Sequence, residues 1–204
     1  MKGIKNIIFD LGGVLLTLDY QKTEDAFIAL GMDAFPQWYK QDFCSPLFEQ
    51  LEIGQIDANQ FYDGLRQLSG LSTPNHLLEK AWNAMLGYFP LERLQRLEDI
   101  GNRYKIFLFS NTNIIHYQAF MQIYQAAKPT KAFHDYFIKA YYSQEIGLRK
   151  PHVAAYQYIL DEQGLIANET LMIDDTVKNI TGAREAGLQT LLLEPPHTLL
   201  ELDL

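Results

Sequence analysis

Three short apolar runs, each followed at once by polar or acidic residues, constrain the fold of this chain most. The runs and the residues that follow them are 4–9 before Asp10, 105–109 before Ser110, and 170–173 before Asp174 and Asp175. Nearly continuous apolar runs of this length are typical of strands buried on both faces, as in a parallel sheet covered by helices. The sequence therefore predicts a parallel sheet whose strands end in polar residues.

The segments between these runs support a doubly wound arrangement. Further strands are predicted at 137–141 and 189–193, and apolar residues recur at helical spacing over 91–101, 151–164 and 179–187. Strands that alternate with helices form βαβ units with right-handed crossovers. The predicted fold class is α/β, with a Rossmann-like, doubly wound parallel sheet.

The alternation stops between residues 19 and 87, where the pattern is helical throughout. The helical stretches, separated by glycine and proline, are 22–30, 34–41, 46–51, 58–68 and 74–87. We interpret 19–87 as an all-helical subdomain inserted after the first strand. The catalytic core then comprises residues 1–18 and 88–204.

Composition limits the classes of partner and the compartment. The 204 residues include 17 basic and 25 acidic side chains, for a net charge of −8, and no basic cluster indicates a nucleic-acid partner. Cys44 is the single cysteine, so no intrachain disulfide can form, and no apolar run reaches the roughly 18 residues that a membrane span requires. We expect a cytoplasmic protein that does not contact membranes. Nothing in the sequence indicates its oligomeric state.

The polar residues at the strand ends are expected to meet in one site. Ligand sites in open α/β sheets lie beyond the carboxyl ends of the strands. The residues that this rule gathers are Asp10, Ser110, Asn111, Asp174 and Asp175, with Lys150 on a loop before a helix. Clustered carboxylates repel one another, and a hard cation such as Mg²⁺ relieves the repulsion while also binding phosphate.

These residue types suit phosphoryl transfer. A carboxylate can accept a phosphoryl group covalently, and the reaction otherwise needs positioning and neutralisation of charge. Ser110 and Asn111 supply hydrogen-bond donors for phosphate oxygens, and Lys150 supplies a positive charge. Each motif alone has an ordinary structural explanation. Their joint order along the chain is what favours a catalytic site.

Four segments resemble the motifs of haloacid dehalogenase superfamily hydrolases in the order of that superfamily. They are Phe9-Asp10-Leu11-Gly12-Gly13-Val14-Leu15, Phe109-Ser110-Asn111-Thr112, Gly147-Leu148-Arg149-Lys150-Pro151, and Ile173-Asp174-Asp175 with Asn179. The helical insertion resembles the small C1 cap. Within the superfamily the pattern is most similar to bacterial sugar-phosphate phosphatases, such as the glucose-1-phosphate phosphatases, and to the phosphatase domain of soluble epoxide hydrolase.

The resemblance implies a magnesium-dependent phosphatase that acts on small phosphorylated metabolites, such as sugar phosphates, through an aspartyl-phosphate. The implied roles are: Asp10, nucleophile and metal ligand; Gly12, metal ligand through its carbonyl; Ser110 and Asn111, phosphate binding; Lys150, neutralisation of the phospho-aspartate; Asp175 and Asp174, completion of the metal site; and Asn179, orientation of the acidic pair.

One position departs from the phosphatase pattern. The superfamily phosphatases usually carry a second Asp two residues after the nucleophile as the general acid and base, and this chain has Gly12 there. A metal-bound water, a residue of the cap, or a leaving group that needs no proton could replace it. Two alternatives stay open: a 2-haloacid dehalogenase, which also lacks the second Asp, and a degenerate member that binds phosphometabolites without catalysis. Arg149 is expected either to touch phosphate or to be solvated.

Overall fold

The computed structural model describes residues 3–40, 43–127 and 129–204. The strands are β1 (Asn6–Phe9), β2 (Tyr39–Lys40), β3 (Phe43–Cys44), β4 (Lys105–Ser110), β5 (Lys139–Tyr142), β6 (Thr170–Asp174) and β7 (Gln189–Leu192). The α-helices are α1 (Tyr20–Ala29), α2 (Phe35–Trp38), α3 (Pro46–Glu52), α4 (Ala58–Ser69), α5 (Asn75–Trp82), α6 (Leu91–Gly101), α7 (Ile114–Ala126), α8 (Ser143–Ile146), α9 (Val153–Gln163) and α10 (Val177–Glu185).

The main sheet has five strands in the order β5-β4-β1-β6-β7, and all of its pairs are parallel. This arrangement confirms the predicted doubly wound α/β fold. Strand β1 lies at the centre, where Phe9 is in register with Leu108 of β4 and Ile173 of β6. The next residues along these three strands therefore emerge together at the carboxyl edge of the sheet.

The strands are buried because helices cover both faces of the sheet. Side chains alternate between faces along a strand, so Ile7 packs in the core on one face while Ile8 packs in the core on the other. Both side chains are fully buried. This double coverage explains why the strands are nearly continuous apolar runs.

Residues 19–87 build a hydrophobic core of their own, mainly from aromatic rings. Phe27 and Phe35 stack with ring centroids 4.1 Å apart, and Phe48, Phe61 and Trp82 pack around them fully buried. The boundaries of this cap at 18/19 and 87/88 stay a prediction. The two segments that connect the cap to the core lie side by side. Backbone hydrogen bonds join residue 17 to residues 87 and 88.

Two predictions of local structure need correction, and one helix was not predicted. The helix predicted at 34–41 ends at Trp38, and Tyr39–Lys40 instead pairs antiparallel with β3; Gln41 lies outside the described residues. The stretch 74–87 is helical only to Trp82 and continues as a 3₁₀ turn over Asn83–Met85. Helix α7 was not predicted, because its apolar residues surround the helix instead of forming one stripe.

No helix in the described part of the chain is long and apolar enough to cross a membrane.

Candidate active site

Asp10 is the first residue after the central strand, at the carboxyl edge of the sheet. Its backbone N–H donates to the carbonyl of Ile173 on β6 at 2.9 Å, and the residue is 8% exposed. The ammonium of Lys150 lies 2.7 Å from Asp10 Oδ1 and 2.6 Å from Asp174 Oδ2. A lysine that is 1% exposed is thus held between two carboxylates from adjacent strands.

The structure brings three carboxylates together. Ligand oxygens of Asp10, Asp174 and Asp175 all lie within 4.8 Å of one another. Burial, together with repulsion from Asp174 and Asp175, raises the pKa of Asp10 to about 8 even though the positive charge of Lys150 opposes the shift. Burial and the charge of Asp174 likewise raise the pKa of Asp175. The cluster has more negative charge than one lysine can balance, so its chemistry fits a divalent cation.

The two adjacent aspartates have different surroundings. Asp174 is fully buried and accepts hydrogen bonds from the Lys150 ammonium, from Asn179 Nδ2 at 2.9 and 3.1 Å, and from the backbone N–H of Thr176 at 2.9 Å. Asp175 accepts a hydrogen bond from the Thr176 hydroxyl at 3.1 Å and faces the active-site cavity. Asp174 therefore holds Lys150, whereas the carboxylate of Asp175 is presented to the cavity.

The loop after Asp10 lies directly against Asp175. Gly13 adopts φ +71°, and a Cβ at this position would lie 2.1 Å from Asp175 Oδ2. The guanidinium of Arg93 donates to the carbonyls of Gly13 and Val14 at 3.0 and 3.1 Å. Gly12 lines the cavity, so a fixed loop presents this residue beside the carboxylates.

Ser110 and Asn111 end β4 next to Asp10, where the sequence predicts phosphate-binding groups. The Asn111 side chain exchanges two hydrogen bonds of 2.9 Å with the backbone of Lys150. Its amide therefore fastens the Lys150 loop to the strand end. Ser110 is 3% exposed, and its hydroxyl lies 3.5 Å from the Asn111 carbonyl.

Asn179 contacts Asp174, one member of the acidic pair that the resemblance implies it orients. Its side-chain amide donates to both oxygens of Asp174, and its own carbonyl accepts from the Tyr156 hydroxyl at 2.6 Å. Helix α10 is thereby tied to α9, which follows the Lys150 loop. This contact fixes the orientation of Asp174 relative to Lys150.

A cavity of about 350 Å³ lies over Asp10, between the core and the cap. The core contributes Asp10, Gly12, Lys150 and Asp175, and other lining residues come from the 19–87 segment. The cap residues among them are Tyr20, Tyr39, Lys40, Cys44, Glu49 and Glu52. Sequence reasoning assigned none of these to the site, because only the packing of the cap onto the core places them there.

Arg149 joins the cap to the core. Its guanidinium lies 2.9 Å from Glu52 Oε2 and 3.8 Å from Glu49 Oε1 on α3, and it donates to Cys44 Sγ at 3.4 Å. Burial raises the pKa of the Glu52 carboxyl, although the charge of Arg149 opposes the shift. A solvated position for Arg149 is therefore wrong, since its guanidinium is paired with the cap.

The structure shows what lies beside Gly12, where the usual acid and base residue is absent. A Cβ on Gly12 would lie 2.5 Å from Leu18 Cδ1. The space that a longer side chain would enter is thus occupied by Leu18. Polar side chains of the cap that line the same cavity include those of Tyr20, Tyr39 and Glu52.

Comparisons with known proteins agree with this geometry. The protein family described as haloacid dehalogenase-like hydrolase matches residues 4–187. A curated relative, the D-ribitol-5-phosphate phosphatase of Bacteroides thetaiotaomicron, is 30% identical over 189 residues, which is 92% of this chain and 90% of the relative.

Solved structures of similar proteins extend the comparison. A haloacid dehalogenase family enzyme of Bacteroides thetaiotaomicron, in complex with magnesium and inorganic phosphate, is 31% identical and superposes with a TM-score of 0.86 over 96% of both chains. A hydrolase of the same kind from Porphyromonas gingivalis is 26% identical, with a TM-score of 0.85 over 96% of this chain and 93% of the other. The resemblance inferred from the four motifs is confirmed, as is the fold it implies.

Proposed function

This chain belongs to the haloacid dehalogenase-like hydrolase family, and from that premise we propose that it is a magnesium-dependent phosphatase of small polyol or sugar phosphates. Asp10 receives the phosphoryl group in this proposal. Its substrates are free metabolites and not nucleic acids or membrane lipids. The single cysteine supports a cytoplasmic location.

The observation that carries the proposal is the cluster of three carboxylates with one buried ammonium. Asp10, Asp174 and Asp175 approach within 4.8 Å, and Lys150 lies 2.7 Å from Asp10. A structural neighbour with this fold and 31% identity holds magnesium and inorganic phosphate. A Mg²⁺ ion would be held by Asp10, Asp175 and the Gly12 carbonyl, and when bound it would neutralise charge on the phosphate.

The residues of the chain divide the reaction into two displacements. An Asp10 carboxylate oxygen attacks phosphorus, and the bond from phosphorus to the substrate oxygen breaks, leaving an aspartyl-phosphate. Lys150 balances the charge next to that group, while Asn111 keeps Lys150 in place through its backbone. Water then attacks phosphorus, releasing phosphate and restoring the Asp10 carboxylate.

The proton for the departing substrate oxygen does not come from position 12, where Gly12 lacks a side chain. General acid assistance typically contributes about 10²–10⁴-fold. The wall formed by Tyr20 and Tyr39 faces the same cavity. A proton from this wall or from water takes the place of the usual Asp.

The substrate class is supported by the cavity and by a relative. A cavity of about 350 Å³ suits a small metabolite. The curated relative that spans 92% of this chain acts on D-ribitol 5-phosphate. We therefore propose pentose, pentitol and hexose phosphates as the substrates to test first.

The carboxylate cluster also separates this function from the two alternatives. A haloacid dehalogenase uses its Asp without a metal, and two additional carboxylates beside that Asp would only repel it. A protein that only binds phosphometabolites does not need a carboxylate nucleophile at Asp10 paired with a buried lysine.

Phosphate release from a panel of phosphorylated metabolites, with Mg²⁺ and then with a chelator, tests the proposal. We expect Mg²⁺-dependent hydrolysis of sugar and polyol phosphates, lost on chelation. Asp10→Asn should abolish hydrolysis and leave the circular dichroism spectrum unchanged. Halide release from 2-haloacids without metal, or equal activity in Asp10→Asn, would contradict the proposal.

A further inference from the structure

Glu52 is a buried carboxylate that the reaction outlined above does not use. It ends helix α3 of the cap, its side chain is 10% exposed, and it lines the cavity that contains Asp10. It also lines a smaller adjoining cavity of about 60 Å³ together with Gly12 and Ser110. Glu52 therefore lines both the cavity that contains Asp10 and the smaller cavity beside it.

The partnership of Glu52 with Arg149 leaves polar atoms unsatisfied. Glu52 Oε2 lies 2.9 Å from Arg149 Nη2. Within the described part of the chain, however, neither Glu52 Oε2 nor Arg149 Nε has a hydrogen bond of good geometry, and both atoms are buried. Buried polar atoms without partners are costly and uncommon, and this pair lies in the wall of the cavity, where the part of the Glu52 side chain that stays exposed can contact a ligand.

Charge in this part of the cavity favours an uncharged ligand group. The acidic residues Glu49 and Glu52 are balanced by Arg149 and Lys40. A second phosphate or a carboxylate on the substrate would find no net positive charge among these four residues, whereas a long apolar chain would bury their charged groups without new partners. A hydroxyl group can donate to the carboxylate of Glu52 and accept from the guanidinium of Arg149.

Glu52 is also held in a fixed position relative to the phosphoryl-transfer groups. Arg149 precedes Lys150, whose ammonium contacts Asp10 at 2.7 Å and whose backbone is bonded to Asn111. The ion pair thus connects a cap helix to the same short loop that carries Lys150. A substrate bound to both ends of the cavity would have its phosphate oriented by the contact at Glu52.

We propose that Glu52, positioned by Arg149, hydrogen-bonds a hydroxyl group of the substrate and so selects polyhydroxylated phosphate esters over alkyl phosphates. This inference rests on the proposed phosphatase function and deepens it. Glu52 acts as a specificity-determining residue, and Arg149 as the residue that positions it.

Two esters of equal chain length test the inference. Ribitol 5-phosphate and n-pentyl phosphate differ in the hydroxyl groups of the leaving alcohol, and phosphate release gives kcat/KM for each. We expect Glu52→Gln to lower kcat/KM for ribitol 5-phosphate by about 10- to 100-fold, mostly through KM, because one charged hydrogen bond is lost. The value for n-pentyl phosphate should change less than about threefold.

Control variants separate recognition from support of the cap. Glu79→Gln changes an exposed glutamate on α5 and should leave kcat/KM for both substrates unchanged. If Glu52 only held the cap in place, Glu52→Gln would lower both kcat/KM values in proportion, and the inference would be overturned. Unchanged selectivity would overturn it as well. If Glu52→Gln does not fold, Glu52→Asp, which keeps the charge but shortens the side chain, is measured in the same way.

Failure of the proposed function would give a different result. A wild-type protein that releases phosphate from neither ester with Mg²⁺ refutes the phosphatase assignment. Calorimetric binding of ribitol 5-phosphate to wild type and to Glu52→Gln then decides the inference separately. Binding weakened at least about tenfold by the substitution supports it, and equal or absent binding contradicts it.

Discussion

At the residue scale, Gly13 shows how closely the loop after Asp10 and the carboxylate of Asp175 depend on each other. The loop is held by Arg93 from α6, and Gly13 leaves no room for a side chain because Asp175 Oδ2 occupies the position of a Cβ. The left-handed φ of +71° is also accessible mainly to glycine. Both the space and the backbone conformation therefore require glycine at this position.

Gly13→Ala is predicted to impair the site more than the backbone conformation alone would explain. The added methyl group would push Asp175 away from Asp10 and weaken Mg²⁺ binding, so we expect kcat/KM to fall at least about 10-fold with a higher Mg²⁺ requirement. Gly70→Ala is the matched control, because Gly70 has φ +70° and no atom within 4 Å of an added Cβ. Titration of activity with Mg²⁺ checks this, and equal effects of the two substitutions would contradict it.

At the element scale, helix α7 of the core is joined to helix α5 of the cap through His116. The imidazole stacks on Trp82 with centroids 4.5 Å apart, and Nε2 donates to the Trp82 carbonyl at 3.0 Å. Asn113 Nδ2 donates to His116 Nδ1 at 3.1 Å. Both nitrogens of the neutral ring are occupied, and a proton on Nδ1 would face the amide donor of Asn113.

This contact predicts a specific loss of stability in acid. Burial lowers the pKa of His116 to about 4, while the unfolded chain titrates near 6.5. As the pH falls, the unfolded state therefore binds the proton first. The contribution of neutral His116 to the free energy of unfolding is complete above about pH 6.5 and is lost as the pH falls toward 4. The difference corresponds to at most about 3 kcal/mol of unfolding free energy.

Urea unfolding between pH 4.5 and 7.5 measures that contribution. We expect the free energy of unfolding of wild type to fall more steeply with acid than that of His116→Gln, which does not titrate. Groups such as Asp10 titrate in both proteins and cancel in the comparison. Parallel pH profiles for the two proteins would show that His116 is not buried in its neutral form.

The elements that the sequence predicts well are those with one dominant physical signal. The strands beside Asp10, Ser110 and Asp174 are buried on both faces, so their apolar runs are unmistakable. Helix α7 has no such signal, because apolar residues such as Ile114 also lie on its exposed side, so that hydrophobicity does not mark one stripe. The β2–β3 hairpin depends on the packing of Tyr39 against Phe48 and Trp82, which local sequence does not contain.

At the scale of the whole molecule, the site exists because folding joins distant parts of the chain around one charge cluster. Asp10 and Asp175 lie 165 positions apart in sequence, yet their carboxylate oxygens lie within 4.8 Å of each other. Parallel pairing made this convergence predictable from the ends of strands. The cap wall was not predictable, because Glu52 and Tyr20 reach the cavity only through tertiary packing. The chemical roles assigned to the motif residues stay predictions.

Magnesium should stabilise the entire fold through this cluster. A ligand that binds only the folded state adds about 2.7 kcal/mol at 100 times its dissociation constant, or roughly 5–10 °C in melting temperature for a chain of this size. Asp175→Asn should lose most of that increase, whereas Asp99→Asn, an exposed residue of α6, should retain it. Thermal unfolding with and without Mg²⁺ checks this, and an equal increase in all three proteins would place the ion elsewhere.

The central claim is that Asp10 becomes phosphorylated during turnover, and chemical trapping tests it most directly. Enzyme mixed with substrate and Mg²⁺ is quenched in acid within the first turnover and treated with borohydride, which reduces an acyl phosphate to an alcohol. Peptide mass spectrometry should then find homoserine at position 10, in amounts that require both substrate and Mg²⁺. Phosphate release with an unmodified Asp10 at every time point, or reduction at a different carboxylate, would contradict the account.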